Sequence, residues 1–311
     1  MDHLGIDLAK LTFDAMLLRA GVSFFQQFAN SPAGFQQLHQ WLLDQGVSRL
    51  HVCMEATNVY WEALALFVYE QGYTVSVVNP ARIKGYAMSQ MQRNKTDKLD
   101  SATIASFCAT QTPQPWTPPT AAQRKLRALV RHRDDLIATR IQQTNRLQDT
   151  SEPDVRASLE LVLATLEAQL KTNQQQITAH LAAHAELQEL HGLIDTVAGI
   201  GAVTAQKLLS EFYDLAEYPS AKAAGADAGL RGANYQSGTS VRRRARLSKI
   251  GKASVRAALY WPAITVMTHS SEFKQYAARL AARQTLRRDP GCGDAQADPY
   301  HLWRCEAQNP L

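Results

Sequence analysis

Between Leu4 and about Phe107, short β-branched or apolar runs alternate with helical periods, the pattern of an α/β layer fold. The runs Leu4–Asp7, Thr12–Leu18, Val22–Ala29, Leu50–Met54 and Thr74–Val78 are predicted strands. Ser31-Pro32 opens a helix whose inner face carries Phe35, Leu38, Trp41 and Leu42, and a second helix over Tyr60–Gln71 stops at Gly72. The predicted order is three antiparallel strands, then helix, strand, helix, strand.

Pro113, Pro115, Pro118 and Pro119 cannot sit inside a helix, so they mark a linker and a domain boundary. Beyond them, from Thr120 to about His191, helix formers dominate and apolar residues recur at three and four, as in Leu126, Leu129, Val130, Leu136 and Ile137. A long helical hairpin broken near Thr150–Asp154 follows. A third region, Leu193 to about Arg283, reads as helical and punctuated by glycine. The chain thus divides into 1–112, a linker and coiled coil over 113–191, a mainly α domain over 192–284, and an atypical, disordered end over 285–311.

Composition sharpens this only at one place. Of the 311 residues, 45% are apolar and 20% charged, with 33 Lys and Arg against 28 Asp and Glu. That excludes a collagen, a disulfide miniprotein or a wholly disordered chain. The surplus of +5 gathers in one stretch, where Arg231, Arg242, Arg243, Arg244, Arg246, Lys249, Lys252 and Arg256 stand with no Asp or Glu between them. A polyanion-binding face is expected there. Cys53, Cys108, Cys292 and Cys305 form no CxxC pair, which argues against a zinc ribbon or a disulfide framework and suits a reducing cytoplasm. No leader and no apolar run of membrane-spanning length is visible, so a cytoplasmic protein without a membrane partner is expected.

Three elements deliver carboxylates near polar ends. Asp7 closes one predicted strand, Glu55 another, and Asp97 and Asp100 share a helix face if a helix starts there. Gathered at one edge they would repel unless a divalent cation were bound, and Mg²⁺ favours such oxygen ligands. The same acids also suit strand ends and a solvated helix start. Gly199-Ile200-Gly201 ahead of Ala202–Lys207 reads as a glycine turn feeding a helix, a place where backbone N–H groups can hold phosphate; an ordinary interhelical turn fits too. Ser237 and Ser240 precede the arginines without a nearby base, so the residues alone favour a flexible phosphate-binding loop. Seven of the nine histidines, His39, His51, His132, His180, His184, His191 and His269, are scattered singly and are assigned no chemistry.

Gly5-Ile6-Asp7-Leu8-Ala9-Lys10, Met54-Glu55-Ala56-Thr57, Val78-Asn79-Pro80, Arg93–Asp100, Gly199-Ile200-Gly201 and Tyr235–Arg242, taken in order, resemble the DEDD transposases of bacterial insertion sequences. These are bridge-RNA-guided recombinases related to the pilin-gene invertases. The resemblance runs from about Leu4 to Arg283. It implies an N-terminal RuvC-like domain of RNase H fold, a coiled coil, and a mainly α C-terminal domain with a helix-hairpin-helix-like element that donates a serine. Asp7, Glu55, Asp97 and Asp100 would then hold Mg²⁺, or Mn²⁺, and Ser237, ahead of Ser240, would be the nucleophile that forms a covalent phosphoserine.

The implied partners are donor and target DNA, a non-coding bridge RNA, and further copies of the chain in a homodimer or homotetramer. In that assembly one copy's acids meet another's serine, and the active protein associates with the nucleoid. Gly199, Gly201, Arg242, Arg243, Arg244, Arg246, Lys249 and Lys252 are the expected nucleic-acid contacts. A metal-dependent nuclease without serine chemistry, or an inactive nucleic-acid-binding remnant, are the alternatives. After Arg283 the likeness stops, at a segment containing Pro290-Gly291-Cys292-Gly293, Pro299 and Pro310.

Overall fold

A computed structural model describes residues 1–56, 59–91, 96–212, 218–237, 241–248 and 250–285. Ser240, Lys249 and the end segment 286–311 lie outside the described residues. The chain divides into two compact units, Met1–Pro118 and Pro119–Leu311.

The first unit is built on a five-stranded mixed sheet in the order β3-β2-β1-β4-β5. Strands β1 (Asp2–Leu8), β2 (Thr12–Arg19) and β3 (Val22–Ala29) run antiparallel, and β4 (Leu50–Glu55) and β5 (Thr74–Val78) continue parallel to β1. Because successive strand residues face opposite sides, the alternation in the sequence sorts the sheet into two faces. One face carries Leu4, Ile6, Phe13, Leu17, Val52 and Met54. It packs on α1 (Pro32–Asp44) and α2 (Glu62–Glu70) in a single apolar core.

The other face meets α4 (Asp97–Gln111), with α3 (Pro80–Ser89) beside it, through Cys53, Val78, Ile83, Ile104 and Phe107. Helix α3 has no counterpart in the sequence reading, yet its start is well encoded: Pro80 is the first helical residue and the Asn79 side chain accepts from Ala81 N at 2.8 Å. The proline-rich segment is not free chain. Trp116 N donates to Val75 O at 2.7 Å, and the buried Ser76 hydroxyl shares its proton between Pro113 O (3.0 Å) and Gln114 O (2.8 Å), so His51 Nε2 donates to Ser76 Oγ at 2.8 Å.

In the second unit, α5 (Ala121–Asp149) and α6 (Pro153–Ala182) form the long hairpin, with its break at Thr150–Glu152. A capping box between Thr120 and Gln123 starts α5, and Pro153 starts α6. Then come α7 (Ala185–Asp195), α8 (Ala202–Glu211) and α9 (Ala221–Asp227), followed after the hairpin described next by α10 (Ala253–His269) and α11 (Ser271–Thr285). Buried Arg133 of α5 donates to Gln206 Oε1 at 2.6 Å, and Lys207 pairs with both Asp134 and Glu211, fastening α8 to α5.

This region is not helical throughout. Between α9 and α10 stands an antiparallel β-hairpin, β6 (Gly232–Ser237) and β7 (Val241–Leu247), where only helix and a flexible loop were expected. The basic run conceals the strand pattern because arginine contributes no apolar alternation.

Candidate active site

Register brings the acids together. Asp7 pairs with Asp14 across β1 and β2, Asp14 with Gln27 across β2 and β3, and Ile6 pairs with Met54, which sets Asp7 and Glu55 side by side at the next position. Gln27, Asp14, Asp7 and Glu55 therefore form one row across four neighbouring strands, on the face that α4 covers. Helix α4 begins with Asp97 and Asp100, its first turn capped by Thr96, whose Oγ1 accepts from Leu99 N at 3.2 Å.

The Asp7 carboxyl feels this crowd. It is pushed up to about 6, first by burial and then by the charges of Asp100, Glu55, Asp97 and Asp14. Asp14 is raised as well, by burial and by Asp97, against the lowering effect of Gln27, whose Nε2 donates to its two oxygens at 3.2 and 3.4 Å. Among the described residues no three His, Cys, Asp or Glu side chains form a finished metal cage. The donor set is nonetheless all oxygen and strongly anionic, the chemistry of a hard divalent cation site, so the residues fit such an ion.

Three contributors escaped sequence reasoning. Asp14, only 6% exposed, is a fifth carboxylate; the register signal, an acid opposite Asp7 across the short Ala9–Leu11 turn, was available to find it. Gly5 lies one pleat before Asp7 on the same face. A Cβ there would stand 2.2 Å from Ala105 N and 2.3 Å from Ser101 O, so its missing side chain sets how closely α4 approaches β1. Asn30 ties the rim, its Nδ2 donating to Ala9 O at 3.0 Å and Tyr60 O at 3.3 Å. Both effects are long-range and leave no local signature.

The remaining candidate residues belong to the second unit. Gly199 takes φ +83°, and a Cβ would meet Val266 Cγ2 at 2.3 Å, so α10 covers that side of the turn; around Gly201 the space is open, ahead of the exposed start of α8. Ser237 is exposed at the end of β6, opposite Val241, while Tyr235 pairs with Arg243 and Gln236 with Arg242. Ser237 and Tyr235 thus share one face of β6, with Gln236 on the other. Arg244 continues β7 and Arg246, exposed, pairs with Ala233. Lys252 instead makes an ion pair with Asp227, 2.7 Å from Oδ2.

A mixed α/β sheet with a row of acids, followed by a helical and basic unit, suits the class of nucleic-acid-processing proteins. Residues 4–150 match a DEDD-type IS110 family model described as transposase, and residues 191–278 match the transposase family IS116/IS110/IS902. The chain is 32% identical over 266 residues to the pilin gene-inverting proteins of Moraxella bovis and Moraxella lacunata, covering 85% of this chain and 82% of each relative. The chain belongs to the IS110 family of transposases, enzymes of DNA recombination. No helix among the described residues is long and apolar enough to cross a membrane.

Proposed function

We propose that this transposase cleaves and rejoins DNA strands through a divalent-metal site on an RNase H-like, RuvC-like domain and a serine nucleophile, guided by a non-coding bridge RNA. The observation that carries the reading is the row of Asp7 and Glu55 on neighbouring strands beneath a helix that starts with Asp97 and Asp100. Asp7, Glu55, Asp97 and Asp100 would hold Mg²⁺ or Mn²⁺, which supplies Lewis-acid stabilisation of the charge that builds on the scissile phosphate.

Ser237 provides the attacking oxygen. Its Oγ–P bond forms as the P–O3′ bond breaks, and the proton lost from the hydroxyl balances the one gained by the departing 3′ oxygen. The phosphodiester energy stays in the phosphoserine, so reversal by another strand's 3′-hydroxyl rejoins DNA without a high-energy cofactor. Arg242, Arg243, Arg244, Arg246 and Lys249, with backbone N–H groups near Gly199 and Gly201, bind DNA or RNA phosphates. The active assembly is a homodimer or homotetramer in which acids of one copy serve the Ser237 of another, at the bacterial nucleoid.

The test uses the full chain expressed with its native flanking DNA. Sequencing of copurifying RNA should return one discrete species from a flank. With that RNA, wild type should cut matching DNA in Mg²⁺, and both Asp7→Asn and Ser237→Ala should lose cutting. A Ser237→Ala protein that still cuts in Mg²⁺ marks a plain nuclease, and binding without cleavage by wild type marks an inactive remnant.

A further inference from the structure

The β6–β7 hairpin is closed at its base by more than its strand ladder. Ser248 N donates to Arg231 O at 2.9 Å, and four residues further along each leg Lys252 N donates to Asp227 O at 2.8 Å. The backbones cross so closely there that a Cβ on Gly251, which has φ +135°, would stand 2.1 Å from Asp227 O and 2.6 Å from Gly229 N. Arg256 Nη1 donates to Ala228 O at 3.1 Å and to Gly251 O at 3.4 Å from the first turn of α10.

Side chains fasten the same point. Lys252 Nζ lies 2.7 Å from Asp227 Oδ2, 3.3 Å from the Tyr218 hydroxyl and 4.7 Å from the Phe212 ring centroid. Tyr218 donates its own proton to that Asp227 oxygen at 2.5 Å, and its ring meets Phe212 edge-on at 5.7 Å. The ammonium therefore faces a carboxylate, a phenol and an aromatic face, all from the chain itself.

We infer that Lys252 and Asp227 are positioning residues that clamp the base of the hairpin carrying Ser237, and that Lys252 is not a phosphate contact. The clamp stands on its own geometry; its consequence for chemistry rests on the serine reading proposed above. An isolated two-stranded hairpin is marginal in water, and among the described residues β6 and β7 pack extensively only on each other. At roughly 3.3 Å per residue, Ser237 sits about 17 Å beyond the base, so a tilt of about 5° there moves it by about 1.5 Å. Displacements on the order of 1 Å are enough to cost about a hundredfold in a positioned reaction.

The test is hydrogen exchange and salt-dependent DNA binding on the full-length protein, comparing wild type, Lys252→Met, Asp227→Asn and Lys252→Arg, with a short DNA duplex of arbitrary sequence as the binding probe. The clamp predicts that the Ser248 and Lys252 amides exchange at least about tenfold faster in Lys252→Met, with α5 and α6 unchanged, and that the slope of log affinity against log salt stays at the wild-type value. Lys252→Arg, which keeps the ion pair, should restore protection.

A slope shallower by about one in Lys252→Met assigns the ammonium to a phosphate and overturns the inference, as does unchanged exchange at the base. If Lys252→Met unfolds the second unit, Asp227→Asn is read by the same two measurements. Where wild type forms a Ser237–DNA adduct, its yield should fall at least about tenfold in Lys252→Met and recover in Lys252→Arg. If wild type forms none, the serine reading fails and the clamp is still judged by exchange and salt slope.

Discussion

At the scale of single residues, Asp7 is the most informative. Its carboxyl, pushed up to about 6 by burial and four neighbouring acids, holds its proton more tightly in the folded protein than in the unfolded chain. Stability contributed by that proton is present below the ordinary carboxylate value of 3.8 and is lost as pH rises through about 6. Because its carboxyl stands about two pH units above the ordinary value, Asp7→Asn should raise the unfolding free energy of the metal-free protein at pH 7 by about 1–3 kcal/mol and flatten its dependence between pH 4 and 7. Denaturant unfolding across that range checks it, and a wild-type protein equally stable throughout would contradict it. Gly5→Ala acts through packing instead. Its methyl meets the backbone of α4, and the variant should lose about 1–3 kcal/mol of stability together with cleavage, because Asp97 and Asp100 retreat from Asp7.

Elements show what a sequence can and cannot disclose. The strand and helix order of the first unit was legible as far as β5, since period-two runs, Ser31-Pro32 and Gly72 are local signals, whereas α3 was not read. The four acids were legible as strand-end and helix-start carboxylates, but Asp14 and Gly5 acquire their roles only through register and through the approach of α4. Packing of the proline segment was equally hidden: prolines forbid a helix, and only the fold lays Pro113–Trp116 along β5. Ser76→Ala, which removes that tether and leaves His51 Nε2 without its acceptor, should cost about 1–3 kcal/mol and expose the segment to limited proteolysis. Lys207→Met removes one of the two cations beside Glu211, 5% exposed, and leaves it Arg131 at 3.6 Å. A loss of about 1–3 kcal/mol is expected in the unfolding of the second unit, measurable by thermal denaturation. The β6–β7 hairpin was missed because its strands are written in arginine and polar residues rather than in alternating apolar ones.

For the whole molecule, the division of charge matches the division of labour. Acids gather on one sheet face of the first unit, where they form an oxygen-only donor set, and basic residues are concentrated along a hairpin in the second, where a serine stands exposed. Family membership accounts for both halves appearing in one chain, since the two family models cover both units. The central claim, that Ser237 is the attacking group, is tested most directly by trapping the protein with its RNA and a DNA substrate, then digesting the denatured complex and mapping the nucleotide-bearing peptide by mass spectrometry. The account predicts a phosphodiester adduct on Ser237 that disappears in Asp7→Asn and in Ser237→Ala; cleaved DNA with no protein-linked nucleotide, or an adduct on another residue, would contradict it.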